Sequence, residues 1–515
     1  MRKETRIDSL HMQALDIQEE NLISPQVFIR ADASVKIGSG HVMRCLALAG
    51  SLRKSGATVT FISHDLPGNL FDIIKQEGHA LHVLPADSER LDWQQDADLT
   101  MAILASDSKP DWLVVDHYQL DAKWEKKVRS SVSRMMVIDD VADRPHDCDL
   151  ILDQNYHSKP QGRYIAMILD ASMKLFGPRF ALLRPEFEAA RKGLQPHDGE
   201  VKRILVFFGG SDSANMTAKA IQAVQQLARP DIALDVVVGA ANPHAAEIRT
   251  LCDGKPNTTY YCQPSGLAEL MAAADIALGA GGSTHWERCC LGLPSVVVTL
   301  ADNQVPSTSA LAEDGYVLYL GDAANVSVEQ LYQGIAVMID SPWMLKSFSR
   351  KCAELVDGLG AMRVANNLIG ADIVLRRAVM DDCEPVYAWR NAEINRQYAR
   401  DSKPFPMEKH RQWFARMLDD PDLVLLIGEV AGEPVGILRY DFDAELAEVS
   451  IYLVPGWHGR GYGARLLDEG QRWLGRYYPD LKIIQAEVLS ANAASAASFL
   501  KAGFERYSER FRKQI

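Results

Sequence analysis

Short apolar strands alternate with helical segments twice over in residues 26–370, and this alternation constrains the fold more than any other feature of the sequence. Segments of strand length lie at 26–32, 58–62, 112–115, 135–138 and 150–152, and again at 203–208, 233–238, 258–261, 276–279 and 295–298. Strands separated by helices pair in parallel, and helices then cover both faces of the sheet. The sequence therefore predicts two tandem α/β units, at 26–199 and 200–370, with a cleft between them.

The pattern changes near residue 372. A strand at 373–377 is followed by helices at 382–390 and 407–419 and by a meander of three strands at 423–430, 433–441 and 445–454. A glycine-rich turn with a helix (456–473), a strand (482–488) and a helix (493–502) complete the pattern. Because strands adjacent in sequence pair here without crossover helices, residues 371–515 are predicted to form a separate α+β domain.

Composition excludes several classes of protein. The net charge of −13 argues against general nucleic-acid binding, which needs a basic face. No apolar run approaches the roughly 18 residues of a membrane span, and the polar N-terminal extension at 1–25 lacks the apolar core of a signal peptide. The eight cysteines form neither a CxxC pair nor a zinc-spaced cluster. We therefore expect a cytoplasmic protein without an obligatory metal.

The first chemical motif lies where the strand at 26–32 gives way to a helix. It contains Gly38, Gly40, His41 and Arg44. Glycines let a ligand approach the backbone, and free N–H groups at a helix start favour an anion. The helix dipole would keep His41 neutral as a base, and Arg44 could bind phosphate. A tight turn with a surface histidine fits the same spacing equally well.

The second motif is the segment 279–288, Gly-Ala-Gly-Gly-Ser-Thr-His-Trp-Glu-Arg, in which a strand again ends in glycines and opens a helix. This turn could cradle a diphosphate. Glu287, in the first helical turn, could hold two ribose hydroxyls; the alternative is a glycine-rich turn with a solvated glutamate.

These residues carry a resemblance to known enzymes. Gly-Gly-Ser-x-x-x-Glu at 281–287, Gly292-Leu-Pro294 and Asn303-Gln304 resemble the UDP-binding lobe of MurG-type glycosyltransferases. The segment Arg-Ala-Asp-x-x-x-x-Ile-Gly-x-Gly-His-x-x-Arg-Cys at 30–45 resembles a narrower group, the UDP-2,4-diacetamido-2,4,6-trideoxy-β-L-altropyranose hydrolases of pseudaminic-acid synthesis. Further matches lie at 115–118, 138–140, 153–155, 177–178, 183–187 and 208–212.

The resemblance implies two Rossmann-like lobes of GT-B type and a reaction in which water attacks the anomeric carbon and UDP leaves. It makes His41 the candidate general base, supported by Asp116, His117, Tyr118 and Asp139. It also implies that the UDP-activated amino sugar contacts Gly40, Arg44, Gly210, Ser211, Gly282, Ser283, Glu287, Asn303 and Gln304. Glycine turns and helix ends, rather than a metal, would stabilise the leaving diphosphate.

The C-terminal region resembles the GNAT acetyltransferases. Its segment 458–464, His-Gly-Arg-Gly-Tyr-Gly-Ala, resembles motif A, with histidine in place of glutamine or arginine, and the segment from Asn492 to Phe504 resembles motif B. The resemblance implies acetyl-CoA as co-substrate, its pyrophosphate held by backbone N–H groups. The implied contacts are Leu453, Val454, His458, Gly459, Arg460, Gly461, Gly463, Ala464, Asn492 and Ser495.

The residues that would act as base and acid in acetyl transfer each have alternatives. Glu448, on the central strand, is the candidate base, but an ordinary strand carboxylate is an equal alternative. Phe499 occupies the place where the family often has a tyrosine that acts as general acid. Tyr452, Tyr507 or a water could be the general acid here instead. The segments 389–396 and 410–413 resemble a subgroup that includes both the pseudaminic-pathway 4-N-acetyltransferase and ribosomal-protein acetyltransferases.

Fusion favours a nucleotide-sugar acceptor, because acetylation of the UDP-4-amino sugar yields the substrate of the hydrolase and a tether raises the local concentration of that product. The leading hypothesis is a bifunctional enzyme for two consecutive steps of pseudaminic-acid biosynthesis. One alternative is a UDP-sugar glycosyltransferase fused to a protein or small-molecule N-acetyltransferase. Another is an inactive nucleotide-sugar sensor. The oligomeric state stays open.

Overall fold

The computed structural model describes residues 24–85, 92–105, 109–169, 171–240, 242–369, 373–397, 403, 406–430, 433–459, 461–489 and 492–507. Residues 1–23 of the predicted polar extension therefore lie outside the described residues, as does Arg460. The chain divides into two compact units, with the boundary between Ile369 and Gly370.

The first lobe of the N-terminal unit is a parallel sheet whose described strands run in the order β3-β2-β1-β4-β5-β6-β7. Its strands are β1 Gln26–Ala31, β2 Thr58–His64, β3 Ala80–Leu84, β4 Trp112–Asp116, β5 Arg134–Ile138, β6 Leu150–Asp153 and β7 Met173–Phe176. Its helices are α1 Gly40–Lys54, α2 Phe71–Gln76, α3 Trp93–Leu104, α4 Ala122–Val128 and α5 Pro160–Arg163. The next helix, α6 Pro185–Arg191, packs on the second lobe, where Phe187 is buried in the core. The strand order reverses between β1 and β4, which opens a crevice at their carboxyl ends.

The second lobe repeats this plan, with described strands in the order β10-β9-β8-β11-β12-β13. The strands are β8 Arg203–Phe207, β9 Ala233–Val238, β10 Thr258–Cys262, β11 Ile276–Ala280, β12 Ser295–Thr299 and β13 Leu318–Asp322. The helices are α7 Met216–Gln226, α8 Ala245–Cys252, α9 Leu267–Ala272, α10 Thr284–Cys290, α11 Val305–Glu313, α12 Val328–Ile339, α13 Pro342–Leu355 and α14 Gly360–Ile369. The order reverses between β8 and β11.

Helix α14 ends the second lobe in sequence but packs in the core of the first. Val364, Ala365 and Leu368 share a buried cluster with residues of β1 and α1, and the Trp112 indole donates to the Leu368 carbonyl at 2.5 Å. The chain therefore returns to the first lobe before it leaves the unit.

The C-terminal unit has a mixed sheet whose described strands run in the order β14-β15-β16-β17-β18. The elements are β14 Val374–Arg377, α15 Cys383–Asn391, α16 Glu393–Arg396, α17 Met407–Asp419, β15 Leu423–Val430, β16 Glu433–Asp443, β17 Leu446–Leu453, α18 Tyr462–Tyr477, β18 Ile483–Gln485 and α19 Ala493–Lys501. Strands β14 to β17 are antiparallel, and β17 pairs with β18 in parallel. The predicted fold class, two Rossmann-like lobes followed by an α+β domain, is confirmed.

Candidate active sites

A cavity of about 510 Å³ opens between the two lobes, a size typical of small-molecule sites. Its lining residues follow the carboxyl ends of strands in both sheets, where open α/β sheets bind their ligands. The first lobe contributes Lys36, Ile37, Gly40, His41, Arg44, His117, Tyr118, Gln119, Asp140, Gln154 and Asn155. The second contributes Gly281, Gly282, Ser283, Trp286, Ala301, Asn303, Gln304 and Ser307.

His41 and Asp116 form a hydrogen-bonded pair beside this cavity. His41 is the second residue of α1, and Asp116 ends β4, which pairs directly with β1. The His41 Nδ1 lies 2.6 Å from Asp116 Oδ1. Because the carboxylate only accepts, Nδ1 carries the proton and Nε2 is the nitrogen that can take one. Asp116 thus orients the ring and can stabilise the imidazolium that proton transfer would form.

Arg44, predicted to bind phosphate, lines the cavity and pairs with two carboxylates in the structure. Its Nε and Nη2 each donate to Asp116 at 2.6 Å, and its Nη1 donates to Asp140 at 2.9 Å. Although burial opposes ionisation, Arg44 and His41 hold the pKa of Asp116 well below its usual range. Two carboxylates therefore neutralise the Arg44 guanidinium, which acts as a brace for His41 and Asp116.

Asp140, rather than the predicted Asp139, lines the cavity. Asp139 is fully buried, and it accepts from the Tyr164 hydroxyl at 3.1 Å and pairs with Arg144 at 3.1 Å. The Tyr118 hydroxyl donates to Asp140 at 2.8 Å, and its ring packs edge-to-face on His41 with centroids 4.6 Å apart. Sequence spacing could not separate two adjacent aspartates, whose side chains leave the strand end in different directions.

His117 lines the cavity, but both of its ring nitrogens have partners. Its Nδ1 accepts from the Gln119 N–H at 3.1 Å, and its Nε2 lies 3.4 Å from Asp32. Asp32 belongs to a fully buried network with Arg30 and Asp96, in which Arg30 bonds Asp32 at 2.7 Å and Asp96 at 2.6 Å. Burial lowers the pKa of His117. The side chain is therefore a neutral wall of the site rather than a second base.

The second lobe presents its glycine turn and the segment after β12 to the same cavity. Gly282 and Ser283 precede α10, and Gln304 faces Gly282, with its Nε2 3.4 Å from where a Gly282 Cβ would lie. The Gln304 Oε1 accepts from the Leu300 N–H, which leaves the amide nitrogen as a donor. Asn303 donates across the lobes to the Tyr118 hydroxyl at 3.4 Å.

Gly210 and Ser211, predicted to contact substrate, are exposed after β8 but do not line the cavity. A Cβ on Gly239 would clash with the Gly210 carbonyl oxygen, so this glycine pair permits close approach of two loops. This close approach accounts for the glycine at 239, whereas a Cβ on Gly210 itself would meet only the Ser39 Oγ of the first lobe, at 3.8 Å.

Glu287 lies beside the turn but outside the cavity lining. Its Oε1 accepts from Arg184 at 3.2 Å, whereas its Oε2 is buried without a hydrogen-bond partner among the described residues. Burial raises the pKa of Glu287 despite Arg184. The ribose contact predicted for Glu287 stays a prediction, and Oε2 is the oxygen left without a partner for it.

Replacing Glu287 by alanine tests that contact. If ribose hydroxyls bond to this carboxylate, the variant should bind UDP more weakly by about 1.5–3 kcal/mol, the scale of hydrogen bonds to charged groups. Titration calorimetry measures the difference, with Glu186→Ala as the control because Glu186 also pairs with Arg184. Unchanged UDP affinity in Glu287→Ala would restrict Glu287 to the ion pair.

In the C-terminal unit, the glycine turn lies between β17 and α18. Gly459 and Gly461 have φ of +74° and +78°, and Gly461 is the N-cap of α18. A Cβ on Gly461 would meet only the Lys501 Nζ, at 3.9 Å, among the described atoms, whereas one on Gly463 would lie 2.9 Å from the Ser498 Oγ. Gly461 therefore borders open space, and Gly463 permits packing of α18 on α19. Ala464 is buried in the first turn of α18.

Several predicted acetyl-CoA contacts already have protein partners. Asn395 donates to the Leu453 carbonyl at 2.9 Å and accepts from His458 Nε2 at 3.0 Å, while the Val454 N–H donates to Val435. Burial lowers the pKa of His458. His458 therefore braces the turn through Asn395, which belongs to the segment 389–396.

In motif B, the predicted acetyl-CoA contacts Asn492 and Ser495 bond to each other. The Asn492 side chain accepts from the Ser495 N–H at 3.0 Å and caps α19, as an asparagine three residues before a serine can do.

Glu448, the candidate base of the acetyl transfer, is half-buried on β17, opposite Asp441. Tyr507 is 97% exposed, whereas the Tyr452 hydroxyl is buried without a hydrogen-bond partner among the described residues, and burial raises its pKa.

Within the described ranges, no three His, Cys, Asp or Glu side chains are grouped so that they could hold a metal ion. No helix of these ranges combines the length and hydropathy that crossing a membrane requires.

Comparisons with known proteins place both units. The model of the glycosyltransferase family 28 C-terminal domain matches residues 204–355, and that of the GNAT acetyltransferase family matches residues 387–504. The spore coat polysaccharide biosynthesis protein SpsG of Bacillus subtilis is 28% identical over 345 residues, covering 66% of this chain and 96% of that protein.

The UDP-2,4-diacetamido-2,4,6-trideoxy-beta-L-altropyranose hydrolase of Campylobacter jejuni is 24% identical over 293 residues, which cover 56% of this chain and 97% of that enzyme. The crystal structure of Acinetobacter baumannii MurG covers 67% of this chain and 99% of its own at 15% identity, with a TM-score of 0.49. The GNAT match supports acetyl-CoA as co-substrate. Both resemblances are thus confirmed, and the chain joins a glycosyltransferase-like nucleotide-sugar enzyme, with a family 28 C-terminal domain, to a GNAT acetyltransferase domain.

Proposed function

We propose that the two-lobed unit hydrolyses a UDP-activated 2,4-diacetamido-2,4,6-trideoxy sugar to the free sugar and UDP. The observation that carries this proposal is the His41–Asp116 pair, which faces the glycine turn of the second lobe across one cavity. A base on one wall and neutral N–H donors on the other suit attack by water on a sugar whose leaving group is a diphosphate. The name of the Campylobacter jejuni relative supports the same substrate.

In this mechanism a water molecule in the cavity gives a proton to His41 Nε2 as its oxygen bonds to the anomeric carbon. The bond from that carbon to the phosphate oxygen breaks, and its electron pair stays on UDP. Asp116 holds Nδ1–H and stabilises the imidazolium. The backbone at Gly282 and Ser283 and the Gln304 amide would donate to the diphosphate.

We further propose that residues 370–515 acetylate the UDP-4-amino sugar from which this substrate derives, with acetyl-CoA as donor. The left-handed glycines at the start of α18 leave backbone N–H groups for the pyrophosphate. A covalent link between the two steps raises the local concentration of the acetylated product, up to about millimolar for short linkers.

The family 28 match favours a second candidate, glycosyl transfer from a UDP-sugar to an acceptor. The two reactions differ in their need for an acceptor. Mass spectrometry of the full chain with the UDP-4-amino sugar, with and without acetyl-CoA, decides between them. Free diacetamido sugar and UDP without added acceptor support hydrolysis, whereas an acetylated UDP-sugar that persists until an acceptor is supplied supports transfer.

Expressing residues 370–515 alone tests whether this segment carries the acetyl transfer by itself, because it is a compact unit. The fragment should fold, bind acetyl-CoA and acetylate the amino sugar at about the rate of the full chain. Circular dichroism and mass spectrometry measure folding and product. A fragment that folds and acetylates only peptide N-termini would contradict the consecutive-step proposal but leave hydrolysis untouched.

A further inference from the structure

The first-lobe wall of the cavity carries more negative than positive buried charge. Arg44 is 7% exposed and pairs with Asp116, which is 0% exposed, and with Asp140, which is 11% exposed. Although burial opposes ionisation, Arg44 and the Tyr118 hydroxyl lower the pKa of Asp140, which is therefore a carboxylate at neutral pH. One guanidinium thus faces two carboxylates.

The other titratable groups of the lining do not cancel this surplus. His117 is held neutral between Gln119 and Asp32, as described above. Lys36 is exposed on the loop after β1, so water screens its charge far more than that of the buried carboxylates. His41 is hydrogen-bonded to Asp116 and shares that carboxylate with Arg44.

Of the two carboxylates that Arg44 holds, Asp140 is the one that faces the cavity. Asp116 lies behind His41, whereas Asp140 reaches the cavity surface. Tyr118 stands between His41 and Asp140, with its ring on the imidazole and its hydroxyl on the carboxylate. The base and the carboxylate therefore share one wall, opposite the turn that faces the diphosphate.

We propose that Asp140 is a catalytic residue that stabilises the positive charge developing on the sugar ring as the bond to UDP breaks, so that the sugar subsite selects cationic ring structures. The proposal rests on the proposed function, in which the anomeric carbon loses its phosphate oxygen. Glycoside cleavage passes through an oxocarbenium-like state, and a fixed carboxylate in a partly buried site lowers its energy. Water supplies the nucleophile, the electron pair of the broken bond leaves with UDP, and the step needs no oxidant or reductant.

The test is Asp140→Asn in the full chain, which keeps the size of the side chain and removes its charge. We expect kcat for UDP release to fall on the order of tenfold or more, the effect of losing one partly screened charge contact, while UDP affinity changes by less than about twofold. Isofagomine, a protonated iminosugar, should inhibit the wild type in the presence of UDP and inhibit the variant at least about tenfold less. Neutral 1,5-anhydroglucitol should not distinguish them.

Two further variants separate charge from folding. Asp140→Glu should keep the preference for isofagomine, and Asp149→Asn should keep kcat, since Asp149 also pairs with an arginine of the first lobe but away from the cavity. Equal inhibition of wild type and Asp140→Asn by isofagomine would overturn the proposal and reduce Asp140 to a brace for Arg44. If the wild type releases no UDP without an acceptor, the hydrolysis proposal fails. In that case the comparison of isofagomine binding to wild type and to Asp140→Asn by calorimetry still tests the role of Asp140, and equal binding would overturn it.

Discussion

Replacing His41 by asparagine is expected to lower the rate of UDP release by about 100-fold or more, the usual contribution of a general base. Asparagine has a similar reach and can still donate to Asp116, but it cannot take a proton from water. The nucleotide contacts of the second lobe are unchanged, so UDP should bind with wild-type affinity. Steady-state assays of UDP release and titration calorimetry with UDP measure the two quantities.

The companion and control variants make the result specific. Asp116→Asn should also lower kcat, because an amide can force the opposite imidazole tautomer and leaves Arg44 without its main partner. His82→Asn should change kcat by less than about twofold, since His82 is exposed on β3 outside the cavity lining. Near-normal turnover in His41→Asn would remove His41 from the chemistry, whatever the comparison with relatives suggests.

The sequence predicted central strands better than edge strands, for a physical reason. The central strands β1, β4 and β11 are mostly apolar and largely buried because helices cover both of their faces. The three strands that the pattern missed, β3, β7 and β13, are all sheet edges, where solvent exposure shortens the apolar run. Strand order and the return of α14 to the first lobe depend on contacts distant in sequence, which periodicity does not encode.

In the candidate site, too, the sequence predicted some features and missed others. Glycine turns at strand ends placed His41 and Gly282 on one cavity because topology brings the carboxyl ends of strands together. The identity of each side chain's partner was not readable, so Arg44 was expected to bind phosphate although two carboxylates hold it. Asp140 was overlooked in favour of Asp139 because both follow the same strand.

Replacing Gly461 by valine is expected to abolish acetylation, with a fall of about 100-fold or more, while hydrolysis of pre-acetylated UDP-sugar continues. The left-handed φ of +78° costs a β-branched residue more than the roughly 1–2 kcal/mol of an ordinary one. Relief of that strain would move the turn, and each hydrogen bond lost to the charged pyrophosphate adds about 1.5–3 kcal/mol. Acetyl-CoA affinity, acetylated product and UDP release are each measured on the full chain.

Gly461→Asn separates backbone strain from lost space, because asparagine tolerates left-handed backbone at lower cost while its side chain enters the open space beside Lys501. If that space holds the pyrophosphate, the asparagine variant should lose acetyl-CoA affinity almost as fully as valine; if only the turn conformation matters, it should retain most of it. Gly475→Ala is the matched control, since a Cβ there meets nothing within 4 Å. Should a Gly461 variant lose both activities while its circular dichroism stays native, the two sites would not be independent, and the division of the chain at residue 370 would fail as a division of function.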